Sequence, residues 1–133
     1  MKQTVLTIKT SARTQLIDIT AAVQSAVAAS PCEQGICTVF IPHTTAGVTI
    51  NENADPDVRS DIQSALEKLI PWEGGFAHAE GNSAAHIKAS LFGFSQIIMV
   101  EAKRLRLGTW QGIYFAEFDG PRQRKIWVTV ISG

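Results

Sequence analysis

Three histidines are the residues of this chain with the widest chemical range, and each lies among other polar residues. His43 ends an apolar run and precedes two threonines, whereas His78 and His86 bracket a segment that contains Glu80. Neutral imidazole is the commonest protein ligand for metals, and it titrates near neutral pH. The rarity and polar surroundings of these histidines predict that all three meet at one site.

The chemistry of such a site has three alternatives. His43, His78 and His86 with an open position would suit a divalent metal such as Zn, Mn or Mg. The seven-residue gap between His78 and His86 is, however, not a metal motif in the way that H-E-x-x-H is. General acid/base catalysis, with His43, His86 and Glu80 as the catalytic groups, and phosphate binding by imidazole are the other two.

A polar stripe on a predicted helix points to anion binding. Asn82, His86 and Ser90 recur every four residues, so they stack on one helical face. The free N–H groups at a helix N-terminus favour anions, which makes Asn82 and Ser90 candidate phosphate ligands. The alternative is the polar outer face of a capped surface helix. Lys88 lies roughly 200° around an ideal helix from His86, which takes it away from the same point.

Basic residues are concentrated near the C-terminus. Half of the twelve Lys and Arg residues follow position 100, and they include Arg122 and Arg124. They could be solvated strand edges, where positive charge also discourages aggregation, or a phosphate-binding patch. The formal net charge of zero gives no global indication of nucleic acid or an acidic membrane surface as a partner.

The elements that must position these residues follow from the hydrophobic pattern. The first half predicts strands over 3–9, 35–41 and 46–51 and a helix over 21–29 that ends at Pro31. A second helix begins at Asp55-Pro56-Asp57 and stops at Pro71. A loop then precedes a helix over 82–92 that Asn82 caps, and strands are predicted over 95–101, 105–107, 113–118 and 126–131.

The order of these elements predicts an α+β fold. Strands come early and late with helices between them, which favours mostly antiparallel sheet with two to three helices. The turn over 119–122 predicts that the last two strands pair as a hairpin.

Composition predicts one domain over residues 1–133 with a real hydrophobic core, since 45% of the residues are hydrophobic. Charged residues are only 18%, below the usual quarter, which is typical of a chain that hides surface in an oligomer. Cys32 and Cys37 are expected to be reduced packing residues. The N-terminus alternates instead of forming an apolar leader, and no apolar run reaches the ~20 residues of a membrane helix, so a cytoplasmic protein is expected.

Several blocks together resemble one known family. They run from Val39 to Ala46, from Thr49 to Asn53 into Asp55 to Val58, from Glu80 to Asn82, from Ala85 to Leu91, from Leu107 to Ile113 and from Glu117 to Arg122. With these blocks the chain closely resembles the YjbQ family, also called UPF0047, whose members are described as secondary thiamine-phosphate synthases. The chain departs from relatives at 101–104, where relatives often have a glycine-containing turn.

The resemblance implies a β-sandwich-like α+β core that assembles as a homotrimer, with His43, His78 and His86 at the site. It implies a reaction that joins hydroxymethylpyrimidine diphosphate to thiazole phosphate and releases pyrophosphate. That chemistry needs positive charge on the leaving diphosphate, which Lys88, Arg122, Arg124 and a divalent cation could supply, and a dry pocket for the flat pyrimidine. The alternative is a non-catalytic trimer that binds a metal or a phosphorylated metabolite.

Overall fold

The computed structural model describes all 133 residues as eight strands and three helices. In chain order they are β1 Lys2–Lys9, β2 Gln15–Asp18, α1 Thr20–Ala28, β3 Gln34–Phe40, β4 Ala46–Glu52, α2 Pro56–Leu69, α3 Ser83–Phe92, β5 Ser95–Glu101, β6 Arg104–Leu105, β7 Gln111–Glu117 and β8 Gln123–Ser132. The predicted α+β class is confirmed.

The strands form two antiparallel sheets around one core. The larger sheet has the order β1-β8-β3-β5-β6, and the smaller sheet has the order β2-β7-β4. Val39 and Val128 from the larger sheet and Val48 and Phe115 from the smaller sheet belong to the same hydrophobic cluster, and all four are fully buried. Because successive strand residues point to opposite faces, the alternating burial of β8 identifies its inward face.

The predicted hairpin between the last two strands is wrong. β7 pairs with β2 and β4, whereas β8 pairs with β1 and β3 in the other sheet. Both strands are central in their sheets, so each already has two neighbours. The residues between them turn a corner from one sheet to the other, where the N–H of Arg122 donates to Thr10 Oγ1 at 2.9 Å. The turn residues correctly predict that the chain bends here, but they do not specify which of the two sheets the next strand joins.

Two smaller elements also differ from expectation. β2 was not predicted, because a four-residue alternation in which only Leu16 is buried gives little signal. The turn that departs from relatives has φ angles of 51° at Ala102 and 62° at Lys103. Glycine adopts that region without strain, whereas an L side chain there carries a conformational cost.

The helices lie beside the sheets, and α3 makes the closest approach. Ala85 and Ala89 of α3 are buried with Tyr114 of the smaller sheet and with Phe118, which directly follows β7. Gly47 permits this contact, since a Cβ there would lie 2.7 Å from the carbonyl oxygen of Gly93. The fold thereby fixes the start of α3 near the corner between β7 and β8.

The helix α2 has no buried residue. Its Ile62 and Leu66 are partly buried and pack against the smaller of the two core clusters, and Arg59 adds a hydrogen bond to the Leu16 carbonyl at 3.3 Å. None of the three helices combines the length and the hydropathy that crossing a membrane requires.

Candidate functional site

A polar cavity of about 500 Å³ lies where the end of β3, the corner between β7 and β8, and the start of α3 meet. Eleven residues line it, and no hydrophobic side chain is among them. All three histidines are present. The lining residues are Pro42, His43, Thr44, Thr45, His78, Glu80, Asn82, His86, Asp119, Arg122 and Arg124.

One wall of the cavity, which we call the strand wall, contains His43, Thr45 and Arg124. It is supported by the buried ion pair between Arg124 and Glu117. Arg124 and Glu117 are 2% and 0% exposed, and the guanidinium binds both carboxylate oxygens, with Nε at 2.8 Å from Oε1. Arg124 Nη2 also donates to Thr45 Oγ1 at 2.8 Å. Glu117 accepts further hydrogen bonds from Thr10 Oγ1 and from the N–H of Asp119. The strand wall is thus hydrogen-bonded from several sides.

These contacts decide the charge of Glu117. Burial by itself would raise the pKa of this carboxyl, but the hydrogen bonds from Arg124, Asp119 and Thr10 outweigh it and leave the pKa lowered. Glu117 therefore stays ionised at neutral pH and neutralises most of the positive charge of Arg124. Arg124 lines the cavity as sequence reasoning predicts, but as part of a pair and not as a free cation.

His43 belongs to the same wall, and its tautomer follows from one hydrogen bond. Its Nε2 accepts the backbone N–H of Lys125 at 2.9 Å. Burial, followed by the positive charge of Arg124, lowers the pKa of the imidazole. A neutral ring whose Nε2 is an acceptor carries its proton on Nδ1. His43 can therefore donate one hydrogen bond from Nδ1 without needing to be protonated.

The opposite wall, which we call the loop wall, is more open. His78 and Glu80 come from the loop before α3 and His86 from its second turn, and the two imidazole rings meet nearly perpendicularly with centroids 5.5 Å apart. Nε2 of His78 lies 3.9 Å from a carboxylate oxygen of Glu80, and these side chains are 43% and 75% exposed. Groups this accessible can contact a ligand or exchange protons with little desolvation cost.

A short polar chain connects the two walls. Asn82 Nδ2 donates to Asp119 Oδ2 at 2.9 Å, and Nη2 of Arg122 lies 3.1 Å from the same oxygen. Asn82 stands at the N-cap position of α3, but its side chain binds Asp119 and does not cap the helix. Its Oδ1 is buried without a partner. Arg122 is the more exposed of the two cavity arginines, at 48%.

Two predicted phosphate ligands lie outside the cavity. Lys88 is 1% exposed and its Nζ lies 2.8 Å from Glu67 Oε1, because the twist of α3 directs it toward α2. This hydrogen bond is the main cause of the lowered pKa of Glu67. Ser90 is exposed, and its hydroxyl donates to the carbonyl of His86 one turn back. The assignment of Lys88 and Ser90 as phosphate ligands is therefore wrong for both residues. Lys88 links α3 to α2, and Ser90 bonds to a backbone carbonyl of its own helix.

Sequence reasoning missed several residues of the site. Thr44, Thr45 and Asp119 line the cavity, and Glu117 supports it from below. A signal for Glu117 was present, since it is a carboxylate that directly follows the apolar run from Ile113 to Ala116 of β7, and buried charges are paired. Asp119 was interpreted only as a turn residue.

The histidines as arranged do not fit a three-ligand metal site. The Nε2 of His43 is already an acceptor for the N–H of Lys125, and no group of three or more His, Cys, Asp or Glu side chains in the chain is close enough to hold a metal ion. A divalent metal at His43, His78 and His86 stays a prediction that this geometry does not support.

The comparisons with known proteins agree over nearly the whole chain. The model of the family described as UPF0047 protein YjbQ-like matches residues 4–133. The UPF0047 protein MJ1081 of Methanocaldococcus jannaschii is 55% identical over 94% of this chain and 91% of its own length. The UPF0047 protein YugU of Bacillus subtilis is 50% identical over 96% of this chain and 97% of its own.

Solved structures show the same fold. An uncharacterised YjbQ/UPF0047 family protein of Clostridium acetobutylicum superimposes with a TM-score of 0.94 at 58% identity, over 96% of this chain and 99% of that one. A hypothetical protein of Aeropyrum pernix gives a TM-score of 0.95 at 36% identity and covers both chains completely.

Proposed function

The chain belongs to the UPF0047 family of YjbQ-like proteins, and we propose that its polar cavity is a site where hydroxymethylpyrimidine diphosphate is joined to thiazole phosphate with release of pyrophosphate. The observation that carries the proposal is the composition of the cavity. Three imidazoles, two guanidinium groups and two carboxylates line one space of about 500 Å³ that no hydrophobic side chain enters. Such a space suits a strongly polar, phosphorylated ligand.

The proposed reaction is a substitution at one carbon. The bond from the pyrimidine methylene to the diphosphate oxygen breaks, and that oxygen leaves with the electron pair. The ring nitrogen of the thiazole supplies the electron pair for the new bond to carbon, and the product ring is cationic. No proton has to be transferred, so electrostatic stabilisation is the main demand on the protein.

The cavity contains groups of the charge that this reaction needs: donors for the negative diphosphate and a carboxylate for the positive carbon and ring. Arg122 and the Nδ1–H of His43 are donors for the leaving diphosphate, and His86 faces the same space. Glu80 is a carboxylate in the same cavity and stabilises positive charge that develops at the methylene and the thiazole ring. We propose His43, His86 and Glu80 as the catalytic residues, with Arg122 and Asn82 positioning the diphosphate.

A second candidate function rests on the pairing of the arginines. Arg124 is neutralised by Glu117 and Arg122 contacts Asp119, so the cavity holds little free positive charge for a departing diphosphate. The exposed guanidinium of Arg122 and the Nδ1–H of His43 can still donate to a phosphate, so this observation favours binding of a phosphorylated metabolite without turnover. It predicts measurable affinity for both phosphorylated halves and no product.

One experiment separates the two functions. Both phosphorylated halves are supplied with Mg²⁺, and thiamine phosphate is followed by mass spectrometry. If the protein is a synthase, we expect turnover in the wild type. The rate should fall at least about a hundredfold in His43→Ala and in His86→Ala. The matched control Ser90→Ala should keep the wild-type rate. Turnover that survives in both histidine variants rejects this site, and binding without turnover in the wild type selects the second function.

We further propose that the chain assembles as a homotrimer through the outer face of the larger sheet. The strand registers place one row of apolar side chains on that face, and these residues are exposed in the single chain: Val5, Phe40, Ile97, Met99, Trp127 and Ile131. Phe40 and Trp127 stack with ring centroids 5.6 Å apart. A face of this kind marks an interaction surface.

Sedimentation equilibrium tests the assembly. The wild type is expected at three times the mass of one chain, and Trp127→Lys is expected to dissociate it. The exposed Leu91 on α3 provides the control, since Leu91→Lys changes a residue outside that face. A monomeric wild type would reject the trimer.

The predicted divalent metal is tested separately. Metal analysis of protein purified without chelating columns, with Zn²⁺, Mn²⁺ and Mg²⁺ titrated afterwards, measures any affinity. Binding that disappears in His78→Ala and His86→Ala would restore the metal hypothesis.

A further inference from the structure

A second hollow adjoins the polar cavity and shares two residues with it. This hollow, of about 430 Å³, is lined by Phe76, Ala77, His78, Ser83, His86 and Ile87. His78 and His86 line both spaces, and their perpendicular rings stand between them. The two spaces are therefore neighbours on either side of one pair of imidazoles.

The two spaces have opposite chemistry. The polar cavity has no hydrophobic lining, whereas the hollow is framed by Phe76, Ala77 and Ile87. A ligand that carries both a phosphate and a planar ring can place the phosphate in the first space and the ring against the apolar side chains of the second. Flat heteroaromatic rings stack on aromatic side chains with little dependence on ring type.

The position of Phe76 depends on a glycine. A Cβ built at Gly74 would lie 2.5 Å from Cζ of Phe76, so the phenyl ring rests on the bare backbone of residue 74. Phe76 remains 40% exposed in that position. An aromatic ring that is supported from one side and open on the other is a stacking platform.

From this juxtaposition we propose that the hollow around Phe76 and Ile87 is a subsite for the planar heteroaromatic ring of the phosphorylated ligand. The proposal rests on the proposed function, because it assumes that the polar cavity holds the phosphate. It assigns the ring to the loop side of the His78–His86 pair and the diphosphate to the strand side.

Isothermal titration calorimetry with two probes tests the subsite. Inorganic pyrophosphate occupies the polar cavity alone, and hydroxymethylpyrimidine diphosphate adds the ring. In Phe76→Ala, affinity for the ring-bearing probe is expected to fall by about tenfold, with that for pyrophosphate unchanged. Phe76→Tyr is expected to retain wild-type affinity, and Gly74→Ala, which displaces the ring, to lie between. Leu91→Ala, an exposed apolar change on α3 outside both spaces, is the control.

The outcomes distinguish the two levels of the proposal. If the wild type binds the two probes equally, or if Phe76→Ala binds the ring-bearing probe as the wild type does, the subsite is rejected and the polar site stands. If Phe76→Ala weakens both probes equally, the residue supports the loop and the subsite is also rejected. If the wild type binds neither probe, the proposed function fails and the subsite fails with it.

Discussion

The two walls of the cavity carry the same residue type in opposite circumstances. On the strand wall, His43 accepts a backbone N–H and lies beside the buried pair of Arg124 and Glu117. On the loop wall, His78 lies 3.9 Å from an exposed carboxylate and 5.5 Å from the ring of His86. The hydrogen bond from Lys125 fixes the first histidine in one tautomer, whereas the second makes only this longer contact with a carboxylate that is 75% exposed. The contrast teaches that buried hydrogen bonds hold the groups of one wall, whereas the groups of the other wall are open to solvent and to a ligand.

The largest difference between the walls should appear in stability. Glu117→Ala leaves the buried guanidinium of Arg124 without its partner, and breaking a buried pair in this way costs about 3–5 kcal/mol. Urea denaturation measures the free energy of unfolding. The matched variant Glu80→Gln, on the loop wall, should change it by less than about 0.5 kcal/mol. Equal losses in the two variants would remove the distinction between the walls.

The second effect is a pH dependence that belongs to the strand wall. The pKa of His43 is lower in the folded chain than its ordinary value of 6.5. As the pH falls through 6.5, the unfolded chain binds this proton first, so stability from neutral His43 is complete above 6.5 and declines below it. Glutamine keeps an acceptor for the N–H of Lys125 but does not titrate.

The free energy of unfolding at pH 7.5 and at pH 5.5 checks this effect. His43→Gln should have a smaller difference between the two pH values than the wild type. His78→Gln provides the comparison on the loop wall. An identical pH dependence in the wild type and His43→Gln would show that the strand wall does not hold this imidazole neutral.

A third effect concerns the ligand and belongs to the loop wall. Glu80→Gln removes a negative charge from the cavity, and a charge at short range in a wet site is worth up to about 1 kcal/mol. Pyrophosphate should therefore bind several-fold more tightly to Glu80→Gln, as measured by calorimetry, while turnover decreases because the developing positive charge loses its partner. Weaker pyrophosphate binding would place Glu80 in a different role.

The smallest effect is expected at Lys88, which belongs to neither wall. Lys88→Met replaces a buried ammonium by an apolar side chain of similar length, and its partner Glu67 keeps contact with water. Removing one partner of a pair is costly when the other is left as a buried charge, and the remaining carboxylate of Glu67 is 47% exposed, so this cost is avoided. Unfolding free energy and pyrophosphate affinity should both stay close to the wild-type values. A marked loss of affinity would restore Lys88 to the site.

The same contrast explains what could be predicted from the sequence. The strands other than β2 and the three helices follow from periodicity and from proline and capping signals. The convergence of the three histidines was predicted from their rarity and polar surroundings together with the family resemblance, and all three line the cavity. The partners of Arg124 and Lys88 do not, because Glu117 and Glu67 reach them only through the packing of separate elements. The failed hairpin has the same origin, since a turn signal does not specify the sheet that the next strand enters. The sequence therefore predicts most of the individual strands and helices, but not which charged side chains or which strands from separate elements pair with each other.

The most direct measurement of the central claim is a long-range ¹H–¹⁵N NMR spectrum of the three imidazoles during titration with pyrophosphate at neutral pH. Without the probe, His43 should show the Nδ1–H tautomer. Signals of His43, His78 and His86 should then shift together with one dissociation constant, since both walls contact one ligand. An Nε2–H tautomer at His43, or shifts confined to His78 and His86, would contradict a single site built from a fixed strand wall and an adaptable loop wall.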